Sequence, residues 1–119
     1  MKKTVVIGAS ANDERYSNRA VRKLKAHGHE VVAVGLREGE IDGVQIHSGR
    51  PAEKNVHTVT MYVGPKNQTP LYDYILSLNP QRIIFNPGAE NPELEKLATE
   101  NGIEVTEACT LVLLSIGNY

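Results

Sequence analysis

Thr4-Val5-Val6-Ile7-Gly8-Ala9-Ser10 is the stretch on which the fold turns. Its first four residues are β-branched with no alternation of polar and apolar, so both faces expect cover, as in a central strand of a parallel sheet between two helical layers. Gly8 opens a turn that continues through Asn12, Asp13 and Tyr16. Ser17 is placed to cap a helix whose Ala20, Val21 and Leu24 share a face, and Gly28 supplies a left-handed stop.

Outward from that unit the pattern repeats. Val31 to Val34 reads as a second buried strand, and Leu36 to Asn55 as mostly loop, with only Val44 to Ile46 able to make a short edge strand. Thr58 to Val63 restores the strand signal; Leu71, Ile75 and Leu78 then recur at helical spacing between Pro70 and Pro80. Arg82 to Phe85 is a further strand, followed by the turn Asn86-Pro87-Gly88. Asn91-Pro92 sets a cap before proline at the first helical position, Leu94, Leu97 and Ala98 line that helix, and Gly102 ends it. Ile103 to Val105 reads as the last strand and Cys109 to Ile116 as a short closing helix. Strands alternating with helices need right-handed crossovers. The expectation is therefore an α/β, doubly wound, Rossmann-like three-layer sandwich with a mostly parallel five-stranded sheet, one domain over residues 1–119.

Composition narrows the partners. Thirteen basic against 14 acidic residues and a pI near 6.4 make no field that collects nucleic acid or an anionic membrane. No apolar stretch approaches the roughly 18 residues of a membrane span, and the opening residues do not read as a signal peptide. The single cysteine, Cys109, excludes an internal disulfide framework and fits a reducing compartment, so a cytoplasmic location is expected. His27, His29, His47 and His57 show no metal-ligand spacing, and solvated surface is their ordinary reading.

The chemistry falls on Gly8-Ala9-Ser10 and the helix start behind it. In such sheets ligands sit outside the carboxyl ends of the strands, and the first strand-to-helix turn takes the phosphates. Gly8 lets a pyrophosphate approach the backbone, helix-start N–H groups favour negative charge, and Ser10 and Ser17 add hydroxyls. The plain alternative is a tight turn with Ser17 as an ordinary cap. The G-x-G-x-x-G fingerprint is not met, since Ser10 and Asp13 stand at its second and third glycines. Nor does an acid close the second strand, where Val34 runs into Gly35, Leu36 and Arg37, which disfavours NAD. Arg37 there suits a phosphate on the ribose, and both coenzyme A and NADP carry one; a solvated loop charge beside Glu38 and Glu40 is the alternative.

These residues resemble the stand-alone CoA-binding proteins of the CoA-binding domain family, related to the nucleotide-binding domain of the succinyl-CoA synthetase alpha subunit. The similar pieces, in order, are Val5 to Ser10, Tyr16-Ser17, Gly28 with Val31 to Arg37, Ile41 to Ile46, Tyr62-Val63-Gly64-Pro65, Asn86-Pro87-Gly88 and Cys109. The resemblance implies that Gly8, Ala9 and Ser10 hold the pyrophosphate and that Gly35, Leu36 and Arg37 meet the adenosine or its 3′-phosphate. It further implies that Val63 and Pro65 pack on the adenine and that Asn86-Pro87-Gly88 lies over the pantetheine side. The chain departs from the family's pattern where Gly35-Leu36 replaces Asn-Pro, and where Phe85 and Pro87 replace tryptophan and glutamine. Cys109 has two readings, inert packing and thiol exchange with a bound CoA thiol.

No nucleophile-base pattern, metal set or carboxylate pair is recognisable, so the chain reads as a binder of coenzyme A or acyl-CoA without catalysis of its own. The alternatives are an NADP-dependent oxidoreductase and the nucleotide-binding subunit of a larger acyl-CoA ligase. A protein partner or a homo-oligomer is compatible with either.

Overall fold

The computed structural model describes all 119 residues. Its elements are β1 (Thr4–Ile7), α1 (Tyr16–Ala26), β2 (Val31–Val34), β3 (Gly39–Ile41), β4 (Val44–His47), β5 (Thr58–Met61), α2 (Tyr72–Ser77), β6 (Arg82–Phe85), α3 (Pro92–Glu100), β7 (Glu104–Glu107) and α4 (Thr110–Ser115). They build one sheet in the order β3-β4-β2-β1-β5-β6-β7. All neighbours run parallel except β3 against β4.

The sheet has seven strands, not five. Five contiguous parallel strands, β2-β1-β5-β6-β7, are those the apolar runs announce, with β7 at the edge. The added pair lies in the stretch expected to be mostly loop, β4 falling on the Val44 to Ile46 run read there as a possible edge strand, and Asp42-Gly43 takes positive φ at both positions and folds β3 back on β4. β4 is thereby an inner strand, and β3 takes the edge.

Both faces are covered, as the unalternating β1 requires. Val5 and Ile7 join Val59, Met61, Ile75, Phe85, Leu94 and Ala98 in one core, under α2 and α3. Val6 and Ala33 join Val21, Leu24 and Leu114 in the other, under α1 and α4. Val21 and Leu24 are fully buried, each contributing about 1.5–3 kcal/mol relative to exposure.

α1 begins differently from expectation. Ser17 does not cap it: Arg15 occupies the N-cap with no side-chain hydrogen bond, and Ser17 lies buried in the first turn. At its other end Gly28 adopts φ +83° just past the last turn, the left-handed stop anticipated for it. α3 begins as its sequence dictates, with Asn91 accepting from the N–H groups of Glu93 and Leu94 and Pro92 following it. No helix is long and apolar enough to cross a membrane.

Candidate functional site

Winding reverses between β1 and β5, since the chain leaves β1 towards β2 and later resumes on β1's other side. The carboxyl ends of these strands are where an open α/β sheet takes its ligand. Gly8 stands at that point with φ +97°. A Cβ there would lie 2.8 Å from the Tyr62 carbonyl oxygen and 3.0 Å from Val63 Cγ2. Gly35, at the end of β2, is tighter still: a Cβ would meet the Ala9 carbonyl oxygen at 2.2 Å. The two glycines thus let the first turn lie between the ends of β5 and β2, so their smallness serves backbone packing as well as any ligand.

Hydrogen bonding then separates the residues of the turn. The N–H groups of Gly8 and Ala9 both donate to the Val34 carbonyl, each at 2.9 Å. Asn12 donates its N–H to Ser10 Oγ, Glu14 donates to Asn12 Oδ1, and Asn18 Nδ2 donates to the Ser10 carbonyl at 2.9 Å. No protein acceptor meets the N–H groups of Ser10, Ala11 and Asp13, nor those of Tyr16 and Ser17 at the start of α1. What Gly8 and Ala9 provide is shape, and free donors begin at Ser10. The first turn of α1 carries no acid, and Arg15 and Arg19 are exposed around it, although Asp13 and Glu14 lie exposed in the preceding turn. A row of free N–H groups at a helix start favours an anion.

Apolar and basic groups border this turn. Tyr16, in the donor-bearing turn, is 66% exposed, and Leu36, next to the Gly35 that packs on Ala9, is 98% exposed. The Arg19 guanidinium lies 5.4 Å from the Tyr16 ring. Arg37 is exposed and has no carboxylate within ion-pair range. Val63 is half-buried and Pro65 exposed at the carboxyl end of β5.

The turn after β6 is of another kind. Asn86 is buried: its amide donates to Thr60 Oγ1 and the Met61 carbonyl, and its Oδ1 accepts from the Thr110 N–H at 2.8 Å. Its side chain therefore joins β5, β6 and α4, leaving Pro87 and Gly88 as the exposed part of the tripeptide. Cys109 is half-buried at the N-cap of α4. Nearby, the Tyr62 hydroxyl is buried without a hydrogen-bond partner, and burial pushes that phenol far up from its ordinary range.

Two residues that sequence reasoning passed over, Asn18 and Gln68, hold this edge together. Asn18 ties α1 to Ser10; its place three residues before Val21 on the buried face was the available signal. Gln68 is fully buried, donating from Nε2 to the Val63 and Ala89 carbonyls at 2.7 Å each. No periodicity marks it. Exposed Glu38 lines a shallow cleft of about 290 Å³ with His47, Ser48, Gly49, Arg50 and Pro51. A second cleft, beside Val56, Leu78 and Gln81, lies at the amino ends of β5 and β6, away from the free donors.

The family model described as a CoA binding domain matches residues 2–115. A solved structure described as that of an uncharacterized protein is 51% identical, with a TM-score of 0.97, over 100% of this chain and 98% of its own. A hypothetical protein from Pyrococcus horikoshii OT3 superposes with a TM-score of 0.84 at 24% identity, over 93% of this chain and 80% of that one. The dinucleotide-forming acetyl-coenzyme A synthetase 1 of Ca. Korarchaeum cryptofilum, in complex with phosphate and ADP, gives a TM-score of 0.70 at 17% identity. That likeness covers 89% of this chain and 25% of the synthetase. The last two show the fold alone. No curated protein matches the chain.

Proposed function

The chain belongs to the CoA-binding domain family, and from that premise we propose that it binds coenzyme A or an acyl-CoA at the turn after β1 without turning it over. The observation that carries the reading is the set of free N–H groups at Ser10, Ala11, Asp13, Tyr16 and Ser17, on a turn held by Gly8, Gly35 and Asn18. Such donors fit a pyrophosphate, whose oxygens accept several hydrogen bonds at once and gain from the helix start behind them. Gly8 and Ala9 shape the floor, and Ser10 with Ser17 presents the donors.

The remaining contacts follow the order of the strands. Leu36 and Tyr16 offer apolar surface beside the pyrophosphate, and Arg37 offers a charge-assisted bond to a ribose phosphate. Val63 and Pro65 flank the adenine. Pro87, Gly88 and Cys109 lie towards the pantetheine, with Asn86 bracing that side from below. The single unpaired cysteine accords with a reducing, cytoplasmic setting.

A mass spectrum of denatured, freshly purified protein tests the reading. Co-purified CoA or acyl-CoA supports it. NADP(H) in its place favours the oxidoreductase, which Arg37 also suits.

A further inference from the structure

One buried side chain holds the loop after β5 and the turn after β6 to each other. The loop runs from Val63 through Pro65 to Gln68, and the turn from Asn86 to Ala89. Gln68 is fully buried, and its Nε2 donates to the Val63 carbonyl and to the Ala89 carbonyl at 2.7 Å each. Both oxygens bond to the same nitrogen, so the amide's own geometry bounds their separation. Its Oε1 accepts from Asn91 Nδ2 at 2.9 Å. The two carbonyls fix which way the amide faces even without Asn91, whose own work is the cap of α3. An apolar side chain could fill the same space, but it would leave both carbonyls without this donor.

The two segments differ in what else holds them. On the β5 side the strand is the anchor: the Tyr62 N–H donates to the Ile7 carbonyl at 2.8 Å, and Val63 Cγ2 lies against Gly8. The turn after β6 is fixed at its entry by the buried Asn86 side chain and closes through the Ala89 N–H, which donates to the Asn86 carbonyl at 2.8 Å. Pro87 and Gly88 between them are exposed, and the exit at Ala89 is tied across to the β5 loop by Gln68. We infer that Gln68 is a positioning residue for the proposed CoA site, setting the gap between the adenine flank at Val63 and Pro65 and the pantetheine turn at Pro87 and Gly88. It thereby favours a ligand that spans both, a nucleotide carrying a long uncharged arm, over the nucleotide alone. This rests on the reading of the turn given above and adds the residue that couples the two ends of the ligand. When Gln68 is changed the pantetheine turn loses more than the adenine flank, because the strand still holds Val63.

The test compares CoA with 3′-phospho-ADP, its nucleotide portion without the arm, by titration calorimetry on wild type, Gln68→Leu and Gln68→Glu. Leucine fills the space and offers no donor; glutamate keeps the length and an acceptor for Asn91 but has at most one hydrogen, so neither can hold both carbonyls. Each variant, folded by circular dichroism, is expected to weaken CoA about tenfold and 3′-phospho-ADP by less than about twofold. A side chain that only stabilised the fold would lower the melting temperature and leave the ratio of the two affinities at its wild-type value, and that result overturns the inference. Wild type gives a second readout, since the two Nε2 hydrogens face different segments. In NMR spectra CoA should shift both resonances, and 3′-phospho-ADP chiefly the one bonded to the Val63 carbonyl. If neither moves on saturation with CoA, the inference falls even where both variants fail to fold. Wild-type protein that binds neither ligand overturns the reading of the turn itself, whereas CoA binding with an unchanged ratio overturns the role of Gln68 alone.

Discussion

The starts of α1 and α3 lie at the same edge of the same sheet and are finished in opposite ways. At α3, Asn91 caps two N–H groups, Glu95 Oε2 accepts from the Asn91 N–H at 3.2 Å, and Glu93 and Glu95 place carboxylates in the first turn. Gln68 and Tyr72 accept from the Asn91 amide at 2.9 and 2.8 Å. The positive end of that helix is answered from within. At α1 there is no side-chain cap and no acid in the first turn, and five N–H groups from Ser10 to Ser17 have no protein acceptor. A glycine turn before a helix is thus not in itself a ligand site; what matters is whether the protein has already met the needs of the helix start.

The largest effect that would break this contrast comes from Gly35. Gly35→Ala drives a methyl into the Ala9 carbonyl, and the turn or the end of β2 must move. Denaturant unfolding should show a loss of about 3 kcal/mol or more, with cofactor binding lost as well. At the other turn, Asn91→Ala removes a cap and buried amide bonds, for about 2 kcal/mol of stability. If the Asn91 cap serves the fold alone and only Pro87 and Gly88 of that turn face the pantetheine, CoA affinity measured on the folded variant stays within about twofold of wild type. A parallel loss of affinity would bring the start of α3 into the site.

Arg37→Ala is a smaller change. Because Arg37 is exposed, solvent screening holds its expected contribution to about 1 kcal/mol, seen for CoA and not for 3′-dephospho-CoA in a cycle pairing the residue with the phosphate. Smallest is the pH response of the closed turn. Burial and the adjacent Glu107 carboxylate raise Glu95 above its ordinary value of 4.5. A raised carboxyl favours its protonated form in the folded state, so its stabilising contribution is present at acid pH and declines as pH rises through the folded value. The stability of wild type relative to Glu95→Gln should therefore fall as pH rises from about 4. A flat difference would show that Glu95 is not held against Glu107.

Much of this contrast was legible in the residues. Thr4 to Ile7, Val31 to Val34 and Arg82 to Phe85 are strands because β-branched apolar runs bounded by turn residues have one compact solution between two helical layers. Asn91-Pro92 declared the start of α3. β4 was legible only as a possible edge strand and β3 escaped notice, because Gly39 to His47 mixes charges with single apolar residues, and Ile41 and Ile46 become core only once β2 offers an edge. Ser17 misled because capping preference is local, while the buried faces of Asn18 and Val21 fix where α1 begins. Gly8 was legible as a glycine required by its turn, but its contact with Tyr62 depends on strand order, which no local pattern carries. Gln68 belongs to the same class, since its partners come from a loop and a turn that are distant in sequence.

The account stands on the open turn after β1 being the cofactor site, and Ser10→Tyr tests it most directly. The ring occupies the space in front of the free donors while Gly8, Gly35 and Asn18 continue to hold the backbone. Calorimetry at matched ionic strength should show wild-type protein binding CoA more tightly than NAD, NADP or ATP. The variant, with its helix content unchanged by circular dichroism, should lose at least about tenfold in CoA affinity. A folded Ser10→Tyr protein that binds CoA as wild type does, or a wild type that prefers NADP, would contradict the account.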